Sequence, residues 1–212
     1  SLTILGANQG LASDNEARGA EAILSGQFEI AANGVTIDGF EITGQREGGP
    51  QQHGVYVSGA YDNVSILNNV IIDAEAETYN SVRGILTTGG GVDDLTVSGN
   101  LLQGWRSGMY INPDAHGANI SGNIFESNGN HINIDGPNGF TIADNAFGVS
   151  AGAQIAVGVF DDPTDVEAAL GLSGNTFTEG PAPLSIYPYG GEGQVINGTS
   201  GDDSFRGDYA ST

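Results

Sequence analysis

The chain of 212 residues carries 26 acidic side chains against five arginines and no lysine, a net charge of −21. That balance excludes the basic stripe needed to neutralise nucleic-acid phosphates, and no apolar run approaches the ~20 residues of a membrane span. Cysteine is absent, which removes disulfides, thiolate metal sites and a cysteine nucleophile, while 35 glycines alongside many aliphatic residues point to a folded chain rich in turns.

Taken in chain order, the predicted elements are short strands of two alternating kinds. Leu2-Thr3-Ile4 is a weak first copy of the pattern Val35-Thr36-Ile37-Asp38-Gly39-Phe40. Gly54-Val55-Tyr56-Val57 follows as a strand of the second kind. The pair recurs as Val64 to Asn69 with Gly84-Ile85-Leu86-Thr87, Leu95 to Asn100 with Gly108-Met109-Tyr110-Ile111, Asn119 to Asn123 with His131-Ile132-Asn133-Ile134, and Phe140 to Asn145 with Gln154-Ile155-Ala156-Val157. Leu170 to Asn175 and Gln194-Val195-Ile196 are the last copies of the first kind. The central aliphatic residues 4, 37, 66, 97, 120, 142, 172 and 196 lie 33, 29, 31, 23, 22, 30 and 24 residues apart, an irregular tandem repeat. Each strand alternates apolar with variable residues, the period of a strand with one buried face. Helical periodicity is confined to a few residues between Asp165 and Leu170.

The turn between the paired strands has its own chemistry. Gly39, Asn68, Gly99, Gly122, Asp144 and Gly174 precede the next strand, all residue types that tolerate a left-handed backbone. The following position is asparagine in five units: Asn69, Asn100, Asn123, Asn145 and Asn175. Coils stacked ~4.8 Å apart would bring these five amides into one internal ladder. The fold class expected is therefore all-β, a parallel β-helix (solenoid) of about seven coils.

These repeats resemble the right-handed parallel β-helix proteins of the pectin-lyase-like superfamily, over residues 1–196. The resemblance implies three short sheets and right-handed coiling. The chain opens inside a strand pattern, Ser1-Leu2-Thr3-Ile4-Leu5-Gly6, with no capping segment, and it is expected to be part of a longer protein. Residues 197–212 form a second segment. Gly201, Asp202, Phe205 and Gly207 resemble the opening unit of an RTX calcium-binding array. That resemblance implies calcium as cofactor, with Asp202, Asp203 and Asp208 as ligands of an incomplete site, because one unit lacks the six to eight oxygens Ca²⁺ takes. It also implies secretion, and an extracellular or cell-surface location.

Alternation within the second-kind strands assigns Tyr56, Leu86, Tyr110, Asn133 and Ala156 to one outward row. Ser58, Thr88, Asn112, Asp135 and Gly158 make the next. Aromatic rings and amides in register on a flat face suit sugars, which offer an apolar face and a rim of hydroxyls. Tyr56, Arg83, Tyr110 and Asn133 are the candidate carbohydrate contacts, with His53 and Arg106 bordering the strip. The expected partner is a polysaccharide or cell-surface glycan, and the expected role is a structural or carbohydrate-contacting module.

The alternative is a polysaccharide-modifying enzyme, epimerase-like or hydrolytic. Tyr110, Asp114 and His116, with Asp135 from the next coil, are its candidate catalytic groups, able to exchange a proton α to a uronate carboxylate. The segment is similar to the Tyr-x-x-Asp-Pro-His-Glu motif of secreted mannuronan C5-epimerases. The Asp-x-His spacing survives in Asp114 and His116. The tyrosine lies four residues upstream instead of three, and Gly117 stands in place of glutamate. Such chemistry needs a cation at the developing enediolate, and arginine occurs only at 18, 46, 83, 106 and 206.

Overall fold

The computed structural model describes residues 1–44, 52–73, 82–88, 90–159, 164–178, 184–188, 196–197 and 203–205. The chain winds as a right-handed parallel β-solenoid, and three sheets run its length. Sheet A takes the first strand of each coil: Leu2–Leu5, Val35–Asp38, Ser65–Leu67, Thr96–Ser98, Asn119–Ser121, Thr141–Ala143 and Leu172–Ser173. Sheet B takes Ala22–Ser25, Phe40–Thr43, Val70–Ile72, Leu101–Gln103, Ile124–Glu126, Ala146–Phe147 and Thr176–Phe177. Sheet C takes Phe28–Ile30, Val55–Val57, Arg83–Thr87, Ser107–Ile111, Asn130–Asp135, Ile155–Val159, Leu184–Pro188 and Asp203–Phe205. A two-stranded pair, Thr164–Asp165 with Ile196–Asn197, and one helix of five residues, Val166–Leu170, lie outside these sheets.

Every ladder is parallel, so equivalent residues of successive coils become vertical neighbours. Ile37, Ile66, Val97, Ile120 and Ile142 form one buried column in sheet A. In sheet B the column ends in phenylalanines. Phe125, Phe147 and Phe177 stack with centroids 5.1 and 4.9 Å apart and rings within 7° of parallel. Stacked rungs, not separate layers, therefore build the core.

At the corner between sheets A and B the chain makes the same turn in coil after coil. Gly39, Asn68, Gly99, Gly122, Asp144 and Gly174 have φ of 80, 53, 67, 61, 55 and 63°, the left-handed conformation expected from their types. The asparagine after five of these turns points inward. Asn69 donates from Nδ2 to Asn100 Oδ1 (3.1 Å), Asn100 to Asn123 (2.9 Å), Asn123 to Asn145 (3.0 Å) and Asn145 to Asn175 (3.0 Å). Each Oδ1 also accepts the backbone N–H of the asparagine one coil earlier, at 2.8–3.0 Å. Each Nδ2 gives its second hydrogen to a backbone carbonyl of the neighbouring coil. Phe40 takes the asparagine position in the coil before and joins only through its N–H, which donates to Asn69 Oδ1.

A different solution closes the corner between sheets B and C. Trp105 is fully buried there. Its Nε1 donates to Ile71 O (3.0 Å), and its backbone N–H donates to Asn128 Oδ1 (2.9 Å). Gly84 lies beneath the indole, where a Cβ would meet Trp105 at 3.1 Å and Gly108 O at 2.5 Å.

Residues 6–21 form a strap down the outside of the first corner. Gly10 N–H donates to the Asp38 carboxylate, Arg18 Nη1 to Asn68 O (2.8 Å), and Ser13 N–H to Gly99 O (2.8 Å). Arg18 is held by a two-point ion pair with Glu21, both bonds 2.9 Å. No helix among the described residues is long and apolar enough to cross a membrane.

Candidate functional site

Sheet C presents a groove on its outer face. Parallel register puts Tyr110 beside Leu86 on one flank and Asn133 on the other, and Asn133 beside Ala156. Two adjoining cavities of about 300 and 320 Å³ open along this row. Arg83, Arg106, Tyr110, Asn130 and Asn133 line both. Asp135, Ala156, Gly158 and Tyr187 complete the first cavity, while Ser107, Gly129, Ala151 and Gly152 complete the second.

The groove's charges are set by close neighbours. The Arg83 guanidinium lies 4.9 Å from the Tyr110 ring centroid, a cation–π geometry. Burial and the adjacent charge of Arg106 lower the Arg83 pKa, with Tyr110 acting in the other direction. Tyr110 donates its hydroxyl to Asp135 Oδ2 at 2.8 Å. Burial nonetheless keeps the Asp135 carboxyl above the ordinary aspartate range, against the pull of that hydrogen bond. Asn133 Oδ1 is buried and accepts no hydrogen bond from the described residues.

The structure thus gathers Arg83, Tyr110, Asn133 and Asp135 into one groove. Tyr56 is two strands away in the same row, where its hydroxyl accepts from Thr88 Oγ1 (3.3 Å). Asp114 and His116 do not join them. Asp114 turns the chain away with φ of 71°, and both residues are exposed on the loop toward sheet A. There the His116 ring meets Asp93 Oδ1 at 2.9 Å through Nδ1, and its backbone N–H donates to the same oxygen. Leu86 and Ala156 occupy the expected outward row but are buried, 8% and 3% exposed; Ala156 lines the first cavity and Leu86 neither. Sequence reasoning missed Asn130 and Tyr187 as lining residues. The alternation Leu184-Ser185-Ile186-Tyr187 carried the signal, since it continues the Ile155–Gly158 register by one coil.

Two histidines are structural. His53 Nδ1 accepts the Arg83 backbone N–H at 3.0 Å, and burial with the nearby Arg83 charge pushes its pKa down to about 4. His131 is fully buried, with Nδ1 against Asn128 Nδ2 (3.0 Å) and Nε2 against Gly148 O (3.1 Å). An amide donor on one nitrogen and a carbonyl acceptor on the other fix the neutral Nε2–H tautomer. Burial lowers its pKa too, although Gly148 O and Glu126 oppose the shift.

The sign of the pH dependence follows. The folded chain holds His53 neutral, while the unfolded chain protonates it near 6.5, so this stabilisation is complete above about 6.5 and is lost as pH falls toward 4. Allowing for solvent screening of a partly exposed ring, the loss is about 1–2 kcal/mol. Thermal melts between pH 7.5 and 4 should show a falling midpoint across that window. In His53→Gln the fall should be shallower, whatever the absolute stability of the variant.

The fold and groove define a parallel β-helix with a polar cleft on one sheet. A family description of the same kind of chain, periplasmic copper-binding protein (NosD), matches residues 3–162, and the chain belongs to that family. No curated protein and no solved structure gives a significant match.

This membership corrects the expectation of calcium. The metal in the family's description is copper, and the match ends before the RTX-like residues 197–212. Asp202 and Asp208 lie outside the described residues, while Asp203 opens the strand Asp203–Phe205, paired with Leu184–Ile186 in sheet C.

Nor do the described residues assemble a copper centre. Copper favours imidazole, thiolate and thioether ligands. The chain has no cysteine, and its single methionine, Met109, is sealed in the core. His53 and His131 are tied into separate coils by the hydrogen bonds above, and His116 stands at another corner. Among the described residues no three potential ligands of the His, Cys, Asp and Glu types cluster.

Proposed function

We propose that this chain is an extracytoplasmic β-helix module that contacts a saccharide along the outer face of sheet C. The observation that carries the reading is the pair of adjoining cavities sharing Arg83, Arg106, Tyr110, Asn130 and Asn133. Each lies at the small end of the range for ligand sites. A tyrosine ring supplies a face for a sugar ring, and amides and guanidinium groups supply directed partners for its oxygens. The family's periplasmic description supports the location.

A glycan panel of neutral and acidic oligosaccharides, followed by NMR, should give at least one ligand that perturbs the groove. Tyr110→Ala should weaken that ligand about tenfold or more while leaving the solenoid folded. Silence across the whole panel would remove the reading.

The Tyr110–Asp135 hydrogen bond favours a second reading, in which the same pair moves a proton on the bound sugar. Chain cleavage, or deuterium uptake from solvent by a bound glycan in the same panel, would promote it over simple binding.

A further inference from the structure

Asparagine or aspartate followed by glycine is open to attack by its own backbone, since glycine puts no Cβ in the way of its nitrogen. Five such pairs have both residues described: Asn33–Gly34, Asp38–Gly39, Asn128–Gly129, Asp135–Gly136 and Asn138–Gly139. In four of them both reacting groups are engaged. The glycine N–H donates to a carbonyl of a neighbouring coil: Gly34 to Asp62 O (2.9 Å), Gly39 to Leu67 O (3.1 Å), Gly129 to Trp105 O (2.8 Å) and Gly136 to Gly158 O (2.8 Å). The side chain before it is held as well. Asn33 Oδ1 accepts the Asp62 N–H, the Asp38 carboxylate the Gly10 N–H, Asn128 Oδ1 the Trp105 N–H, and Asp135 Oδ2 the Tyr110 hydroxyl.

Asn138–Gly139 is the exception. Among the described residues, neither the Asn138 side chain nor the Gly139 N–H makes a hydrogen bond, and both residues are exposed. Gly139 has φ of 64°, and a Cβ built on it would meet nothing within 4 Å, so the asparagine side chain has room to swing. The flanks are nevertheless fixed: Asn138 O accepts the Gly117 N–H (3.1 Å), and the Phe140 N–H donates to Ala169 O (2.9 Å). The turn stays in place with one reactive nitrogen unguarded inside it.

We propose that the fold selects Asn138 for spontaneous deamidation in the native protein, while it protects Asn33 and Asn128. The Gly139 nitrogen gives its proton to solvent base and bonds to Asn138 Cγ. The Cγ–Nδ2 bond then breaks and ammonia leaves with a proton, closing a succinimide ring. Water opens that ring, at Cγ to leave aspartate or at the backbone carbonyl carbon to leave isoaspartate. Nothing is oxidised or reduced, and either product adds one negative charge at this corner.

Incubating the intact protein in mildly alkaline buffer made with heavy-oxygen water, then digesting it for tandem mass spectrometry, reads each site separately. Asn138 should take up label with the amide-to-acid mass change at least about tenfold faster than Asn33 or Asn128, which react only through local opening. In urea the three rates should converge. Asn138→Gln should keep the parent's melting temperature and stay unlabelled at that position, because glutamine must close a larger ring. A native rate at Asn138 no higher than at Asn33 and Asn128 would overturn the proposal. So would a lead for Asn138 that persists unchanged in urea, since the preference would then belong to the local sequence and not to the fold.

Discussion

Trp105→Ala should destabilise the protein by about 3–5 kcal/mol, the range for emptying a large aromatic site in a packed core. The side chain is fully buried, and the glycines around it have no side chains to move into the gap. Gly44, Gly54 and Gly84 all approach the indole, so part of the cavity wall would be backbone. Ile71 O would also lose the Nε1–H donor that satisfies it. Urea unfolding followed by circular dichroism measures the loss as a shift of the midpoint. Trp105→Phe should recover part of it, keeping most of the volume but not the hydrogen bond. Because Trp105 is the chain's single tryptophan, its emission should also be blue-shifted in the native state and move red on unfolding.

Asn123→Ala is the second large effect, expected at about 4 kcal/mol. Asn123 sits in the middle of the ladder, so its removal strands groups on both sides. The Asn100 backbone N–H and Nδ2 lose their acceptor, and Val97 O and Asn145 Oδ1 lose a donor. Each group left unpaired in the interior costs about 1–3 kcal/mol, and local rearrangement recovers some of the sum. Asn175→Ala should cost less, because that residue is the last of the ladder among the described residues and is only partly buried. Equal losses at the two positions, measured by denaturant midpoint, would mean that the ladder does not act as a connected array.

The contrast between these two sites explains what the sequence made legible. Asn69, Asn100, Asn123, Asn145 and Asn175 repeat with the coil, and parallel stacking converts that repetition directly into contact. The left-handed turns before them were equally readable, since glycine, asparagine and aspartate are the types that reach positive φ. Trp105 and Asn128 occur once each at their corner, so no period announces them. Their partnership depends on where the irregular loops let sheet B hand over to sheet C.

The same distinction divides the candidate site. Tyr110, Asn133 and Arg83 lie on or beside regular strands, where alternation assigns a side chain to a face. Asp114 and His116 lie on a loop, where spacing along the chain says nothing of direction. The Asp93 carboxylate draws His116 to the turn, away from the groove. Outward assignment alone also failed to show that Leu86 and Ala156 are covered, because exposure depends on the size of the neighbours standing beside them.

The strap of residues 6–21 changes how this stack should come apart. A plain solenoid can fray from its end, shedding one rung at a time, because each rung touches only its neighbours. Here the opening segment is bonded to Asp38, Asn68 and Gly99, which belong to three successive later rungs. Peeling the first rung therefore means releasing a clasp fastened three rungs deep. The first four rungs, from Leu2–Leu5 to Thr96–Ser98 in sheet A, are thereby bound into one cooperative block.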